Sequence, residues 1–115
     1  MHSSEYLHGI RLFNRAAFFD AHEVLEDVWR ASPEPEKKFL QGLIQVAVGF
    51  HHYGAGNLVG ARSLLGRAAT NLAKYPETFG GIQLTPLLNC IAEWQQALAH
   101  NQPAPPFPKL DMESP

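Results

Sequence analysis

The sequence predicts an all-α fold, a single five-helix bundle with an extended proline-rich C-terminal tail. Apolar residues recur at steps of three and four in five separate segments, and no segment alternates with the period of two that a strand requires. Short segments rich in Pro or Gly separate the five patterns, which suits antiparallel helices joined by short connections. In a chain of 115 residues we assign residues 1–100 to one helical domain and residues 101–115 to the tail.

The first two helices are predicted from their starts as well as from their periodicity. A first helix runs from about Ser4 to Ala17, with Ser4 as its candidate N-cap. A second helix runs from Ala21 to about Ala31, because Asp20 is followed three residues later by Glu23, which is the spacing of a capping box. Both segments place their apolar residues on one face.

The third helix, from Lys37 to Tyr53, is the most apolar segment and is predicted to lie at the centre of the bundle. After Lys38 it contains no Asp, Glu, Lys or Arg. Its apolar residues cover well over half of the helix circumference, so other helices must surround it. Gly42 and Gly49 lie one heptad apart and predict either the close approach of another helix or room for a ligand, and packing is the commoner cause.

The last two helices are predicted from their caps. Asn57 caps the fourth helix, which ends at Pro76. Residues 77–84 are predicted to form a loop, and Thr85, followed by proline, begins a fifth helix that ends near His100.

The tail beyond the fifth helix cannot be helical, because five of the last fifteen residues are proline. We expect it to lie extended, anchored over the bundle by Phe107 and Leu110.

Composition and charge exclude several classes of protein. The net charge is −2 and no basic run is present, so binding to a nucleic-acid backbone is not expected. The sequence contains neither a signal-peptide pattern nor an apolar run long enough to span a membrane, which predicts a soluble cytoplasmic protein. Cys90 is the single cysteine, so no internal disulfide forms, and its apolar neighbours predict an inert core thiol.

Three neutral polar residues form a narrow stripe on the third helix. Gln41, Gln45 and His52 fall within about 40° of one another on a helical projection. A stripe that faces solvent usually carries Lys and Glu, so neutral groups favour a hydrogen-bonded, partly buried network over plain exposure. His51 projects from the apolar side of the same helix and is predicted to be a core histidine.

The second helix offers two further polar groups at a matching spacing. His22 and Glu26 lie one helical turn apart, and HEVLE resembles half of the zinc-protease signature, with Glu26 where the second histidine would stand. His52 would complete a set of two histidines and one carboxylate, which suits Zn or Fe(II). In the alternative, these groups only hydrogen-bond one another and fix the packing of the helices.

Two stretches of the chain together resemble the uncharacterised all-helical family catalogued as domain of unknown function 309. They are FNRAAFFDAHEVLEDVWR at residues 13–30 and FLQGLIQVAVGFHHYGAGNLVGARSLL at residues 39–65. The resemblance implies an all-helical fold and no particular activity. The positions that match the motifs of the family are Phe13, Asn14, His22, Glu23, Glu26, Trp29, Arg30, Gln41, Gln45, His52, Gly56, Asn57 and Ala61.

These observations predict a polar site that binds a small polar ligand or a divalent metal. The candidate ligand-binding residues are His22, Glu26, Trp29, Arg30, Gln41, Gln45 and His52. The candidate metal ligands are His22, Glu26 and His52. If the site is catalytic and hydrolytic, Glu26 or His52 acts as general base, and whether the protein is an enzyme stays open.

Two other interpretations come from a different class of function. The first is a helical protein-interaction module in which the polar cluster is only structural. The second is a homo-oligomer that associates through exposed Trp or Tyr faces.

Overall fold

The structure is a computed structural model that describes residues 3–112, and it contains five helices and one small hairpin. The helices span Ser4–Asn14 (α1), Phe18–Ala31 (α2), Glu36–Gly54 (α3), Leu58–Leu72 (α4) and Leu84–Ala99 (α5), and the strands span Thr78–Phe79 (β1) and Ile82–Gln83 (β2). Each helix packs mainly on the helices next to it in the chain. The predicted all-α, five-helix fold is confirmed. Between residues 3 and 112, no helix is both long and apolar enough to cross a membrane.

The central position of α3 follows from its apolar surface. It packs against both α2 and α4, and its bounds lie within one residue of the prediction. A Cβ atom added at Gly42 would lie 2.7 Å from Leu72 Cδ2, and one added at Gly49 would lie 3.2 Å from Leu65 Cδ2. Both glycines therefore serve the close approach of α4, rather than leaving room for a ligand.

The first helix begins at Ser4 as predicted, but its capping residue and its end differ from the prediction. Ser3 is its N-cap, because the Oγ atom of Ser3 accepts a hydrogen bond from the backbone N of Tyr6 at 3.2 Å. Ser4 is consequently the first helical residue and not the cap. The helix ends at Asn14, since Ala16 adopts a left-handed backbone conformation with a φ of 60°, which α-helix cannot continue.

The predicted capping of α2 by Asp20 is wrong. The helix begins at Phe18, with Ala17 in the N-cap position and no side-chain cap, so Asp20 lies within the first turn. Phe18 is only 6% exposed, and its ring packs edge-on against that of Phe13, with ring centres 5.1 Å apart. Burial of this ring starts the helix earlier than capping alone would. Asp20 still interacts favourably with the partial positive charge of the helix start.

The start of α4 is as predicted, whereas its end comes earlier. The Oδ1 atom of Asn57 accepts a hydrogen bond from the backbone N of Gly60 at 2.9 Å, which confirms Asn57 as the cap. The helix ends at Leu72, because the backbone N of Tyr75 turns back to the Leu72 carbonyl oxygen at 3.1 Å.

Residues 77–84 contain a hairpin where a loop was predicted. Gly80 and Gly81 connect the two short antiparallel strands, and both have a positive φ, 58° and 77°. A two-residue hairpin turn of the type I′ kind requires that conformation at both positions. The Tyr6 hydroxyl donates a hydrogen bond to the Gly80 carbonyl oxygen at 2.7 Å, which holds the turn against α1. α5 then begins directly at Leu84.

Residues 102–111 form neither helix nor strand and lie against the bundle. Leu110 is 1% exposed, and its backbone N and carbonyl oxygen bond to the two side-chain polar atoms of Asn14 at 2.7 and 3.2 Å. Phe107 stacks on Trp94, with ring centres 5.4 Å apart and an angle of 4° between the rings. The segment thus contributes side chains to the core, and the division of the chain at residue 100 stays a prediction.

Candidate functional site

The exposed face of α2 carries a row of paired charged side chains. His22 Nε2 lies 3.1 Å from one carboxylate oxygen of Glu26, and an Arg30 nitrogen lies 3.6 Å from the other. Arg30 also donates a hydrogen bond of 2.7 Å to Asp27 Oδ1. The i, i+3 and i, i+4 spacings place these groups side by side, so most of the charge on this face is paired within α2 itself.

The imidazole of His22 links this row to the backbone. Its Nδ1 lies 2.7 Å from the carbonyl oxygen of Phe19, one turn earlier. A carbonyl oxygen and a carboxylate both accept hydrogen bonds, so the ring satisfies both neighbours when it carries both of its protons. The contact with the Phe19 carbonyl fixes the orientation of the ring toward Glu26.

A groove with a volume of about 310 Å³ runs between α2 and α3, and we call it the α2–α3 groove. Trp29, Ile44 and Val48 provide its apolar lining, and all three are half-buried. The Nζ atom of Lys37 lies 4.3 Å from the centre of the Trp29 ring and donates a hydrogen bond to the Trp29 carbonyl oxygen at 3.2 Å. This cation–π contact holds the indole in place beside the groove.

Four of the seven predicted ligand-binding residues line the α2–α3 groove. They are His22, Glu26, Trp29 and Gln41. Arg30 joins them through its contact with Glu26, and it lines an adjacent hollow of about 180 Å³ together with His22 and Glu26. The structure therefore brings five of the seven to one side of α3.

Gln45 and His52 lie elsewhere. The Oε1 atom of Gln45 accepts a hydrogen bond from Asn71 Nδ2 at 2.9 Å, across the contact between α3 and α4. His52 Nδ1 accepts from Asn57 Nδ2 at 3.4 Å, at the C-terminal end of α3. These two residues take part in separate local contacts and do not share the α2–α3 groove.

The predicted buried network along the stripe of α3 does not form. Gln41 is exposed, Gln45 and His52 are half-buried, and no Asn, Gln, His or charged residue between positions 3 and 112 is fully buried. Gln41 borders α2 whereas Gln45 bonds to α4, so these two residues of the stripe contact different helices. His51 is likewise exposed rather than in the core, and its ring lies 5.2 Å from that of Phe19.

The structure does not assemble the predicted metal ligands. Among the described residues, no group of three His, Cys, Asp or Glu side chains is placed to hold a metal ion. His22 and Glu26 are neighbours, whereas His52 contacts Asn57. The two candidate general bases, Glu26 and His52, are separated in the same way. The groups that do come together in the α2–α3 groove offer hydrogen bonds, ion pairing and apolar contact.

Cys90 lies at the edge of the core rather than inside it. It is half-buried, and its thiol donates a long hydrogen bond to the Pro106 carbonyl oxygen, with an Sγ–O distance of 3.8 Å. Burial, and then the negative charge of Glu93, raise the pKa of the Cys90 thiol above its usual value. A raised pKa disfavours the nucleophilic thiolate.

A second groove, about 760 Å³ in volume, lies beside α4, and sequence reasoning identified only Gln45 among its residues. We call it the α4 groove. Arg62 and Arg67 of α4 and Gln95 of α5 also line it. The sequence does contain a signal for it, because α4 carries two arginines and no Asp or Glu.

Comparison with known proteins places the chain in a family. The family model described as "Domain of unknown function (DUF309)" matches residues 6–64, which is more than half of the chain. An uncharacterised protein of Aquifex aeolicus (strain VF5) is 36% identical over 73 residues, which are 63% of this chain and 22% of that protein. The uncharacterised protein YpuF of Bacillus subtilis (strain 168) is 37% identical over 49 residues, which are 42% of this chain and 28% of that protein. The chain thus spans a minor part of the length of both relatives. It belongs to the DUF309 family, whose function is unknown.

Proposed function

We propose that the protein is a helical interaction module that binds an amphipathic segment of a partner protein in the α2–α3 groove. The observation that carries this proposal is the composition of the groove, where apolar Trp29, Ile44 and Val48 lie beside polar His22 and Glu26. Protein interfaces commonly combine an apolar centre with a polar rim, and Trp is frequent among their anchor residues. A groove between two helices accepts the apolar face of such a segment.

The charge beside the groove favours a basic partner segment. The adjacent hollow is lined by three carboxylates, those of Glu23, Glu26 and Asp27, and by one guanidinium, that of Arg30. Three negative charges and one positive charge leave a net charge of −2, or −1 when His22 is protonated. Complementary charge across an interface steers association and selects partners. The preferred segment therefore carries Lys or Arg next to its apolar anchors.

The family match supports a role for this groove. Residues 6–64 include α2 and α3, and with them every residue that lines the α2–α3 groove. In both relatives the similar region is a minor part of a longer chain. A compact region of this size within a longer chain is typical of a separate domain, which leaves its surface available to a partner.

The size of the groove favours a peptide over a small molecule. Its volume of about 310 Å³ is close to the lower limit, about 300 Å³, of pockets that enclose drug-sized ligands. The hollow beside Arg30 is smaller, about 180 Å³. Since Glu26 and His52 are also separated, the geometry offers more to a docked segment than to a hydrolytic reaction.

Selection from a phage-displayed library of random peptides tests this proposal directly. The purified protein is the bait, and enriched peptides are synthesised and titrated by fluorescence anisotropy. We expect peptides with two or more apolar residues at helical spacing and a nearby Lys or Arg. A Val48→Lys variant places a charge in the apolar lining of the groove, so binding should fall by about tenfold or more.

The matched control is Val59→Lys, which introduces the same side chain at a position that is 83% exposed and outside the α2–α3 groove, although it borders the α4 groove. This variant should bind the peptides as the unchanged protein does, and circular dichroism should show equal helix content in all three proteins. The proposal is wrong if no peptide is enriched, or if the Val48→Lys and Val59→Lys variants bind the enriched peptides equally well.

A further inference from the structure

We infer that the α4 groove binds a small phosphate ester that also carries hydroxyl groups. The groove has a volume of about 760 Å³, which lies within the range of about 300–1,000 Å³ that is typical of small-molecule sites. Side chains from α3, α4 and α5 meet there, so the site is built by the tertiary fold rather than by one helix.

Two arginines supply unpaired positive charge. Arg62 and Arg67 are exposed, and the ion pairs found between residues 3 and 112 involve only His22 and Arg30 as the basic partners. α4 contains no acidic residue. The one acidic residue of α5, Glu93, raises the pKa of the Cys90 thiol and does not line this groove. In a protein with a net charge of −2, this groove is consequently a local positive region.

The donors of the groove suit a phosphate group in particular. Each guanidinium offers five N–H donors in a planar arrangement that pairs with phosphate oxygens through two parallel hydrogen bonds. The Ser63 hydroxyl lies next to Arg62 in the chain and lines the same groove. Thr70 lines it one turn after Gly66, whose carbonyl oxygen accepts a hydrogen bond from Thr70 Oγ1 at 3.1 Å. A phosphate in this groove therefore has the arginine donors and the Ser63 hydroxyl around it, whereas the single proton of Thr70 Oγ1 is already donated to Gly66.

The amide side chains suit hydroxyl groups on the same ligand. Gln95 Oε1 is the one buried side-chain oxygen or nitrogen without a hydrogen-bond partner in the described part of the chain. A Cβ atom at Gly66 would lie 3.0 Å from Gln95 Nε2, so the glycine leaves room for this amide. A buried acceptor without a donor is unfavourable, and a ligand hydroxyl satisfies it when the amide turns toward the groove. Gln45 and Asn71, bonded to each other at 2.9 Å, add a polar wall.

Titration by NMR tests the inference with three probes, inorganic phosphate, glucose 6-phosphate and glucose, at constant ionic strength. We expect glucose 6-phosphate to shift the backbone resonances around Arg62–Asn71 and Gln95 and to bind more tightly than inorganic phosphate. Glucose alone should not bind. An Arg62→Gln, Arg67→Gln double variant should weaken the binding of glucose 6-phosphate by about tenfold or more. Gln95→Leu should weaken the binding of glucose 6-phosphate and leave the affinity for inorganic phosphate unchanged.

The matched control is an Arg11→Gln, Lys109→Gln double variant, which removes the same charge from exposed positions on α1 and the tail. It should bind glucose 6-phosphate as the unchanged protein does. The inference is overturned if no probe shifts these resonances, if the control loses as much affinity as the arginine variant, or if a single-stranded RNA oligonucleotide binds through the arginines while glucose 6-phosphate does not.

Discussion

The two grooves beside α3 differ in how their charged side chains are paired. At the α2–α3 groove, Glu26 pairs with both His22 and Arg30, so its negative charge is partly neutralised within one helix. At the α4 groove, Arg62 and Arg67 have no carboxylate partner in the described part of the chain. A paired charge attracts a ligand less than a free one, so the apolar lining is the main contribution to binding in the first groove, and the net negative charge beside it selects basic segments. An unpaired guanidinium keeps its donors available, so the second groove favours an anion.

The grooves also differ in their relation to the family. The α2–α3 groove lies wholly within residues 6–64, the range of the family match. The α4 groove lies only partly within it, because Arg67, Thr70, Asn71 and Gln95 follow residue 64. A function common to the family is therefore to be sought first at the α2–α3 groove. The phosphate site needs testing in this chain itself.

The largest expected effect distinguishes the packed side of α3 from its open side. Leu72 is fully buried against Gly42, and Leu72→Ala should lower the free energy of unfolding by about 2–5 kcal/mol. Val48 is half-buried in the lining of the α2–α3 groove, so Val48→Ala should cost less than about 1.5 kcal/mol. Urea denaturation followed by circular dichroism measures both. Equal losses would show that the two sides of α3 are packed alike.

A pair of glycine substitutions sharpens the same contrast. Gly42→Ala brings a Cβ atom to 2.7 Å from Leu72 Cδ2, and the overpacking should cost about 1–3 kcal/mol, more than the helix propensity of Ala returns. Gly54→Ala is the control, because no side chain or backbone of another element lies within 4 Å of its added Cβ, and it should stabilise the protein by up to about 1 kcal/mol. Thermal unfolding compares the two. A neutral Gly42→Ala would contradict the close approach of α3 and α4.

A smaller effect is expected from the two glutamines of α3. Gln45 bonds to Asn71, and a double-mutant cycle with alanine at both positions should give a coupling energy of about 0.5–1.5 kcal/mol. Gln41 is exposed, so Gln41→Ala should change the free energy of unfolding by less than about 0.5 kcal/mol. Urea denaturation of the four proteins supplies the cycle. If the Gln41 variant were as unstable as the Gln45 variant, both glutamines would belong to a buried network, contrary to the structure.

The smallest expected effect on stability is at the paired charges of α2. Glu26→Gln removes contacts of 3.1 and 3.6 Å on an exposed helix face, and such pairs contribute at most about 1 kcal/mol. The loss should shrink further in high salt, which screens exposed charges. Peptide binding in the α2–α3 groove should respond more than stability does, by a loss of preference for basic peptides. A large loss of stability that salt does not change would instead show that the paired charged side chains of α2 are buried.

Periodicity and capping chemistry predicted most of the fold because both are local. The five helices, the central place of α3 and the cap at Asn57 follow from spacing along the chain. The cap at Asp20 was wrong because burial of Phe18 moved the helix start, and burial is not a local property. The hairpin also has a local signal, since Gly80-Gly81 is a favoured two-residue turn, but its strands are only two residues long and too short to show an alternating pattern.

The candidate site shows the same division between local and long-range causes. His22, Glu26 and Arg30 meet because they lie at i, i+4 steps on one helix, which the sequence alone determines. Gln41 and Gln45 also lie at an i, i+4 step, about 40° apart in projection, yet Gln41 borders α2 and Gln45 bonds to α4. The sequence determined which residues share a face of a helix. Only the tertiary structure decided which neighbouring helix meets each edge of that face, because this depends on how whole helices pack.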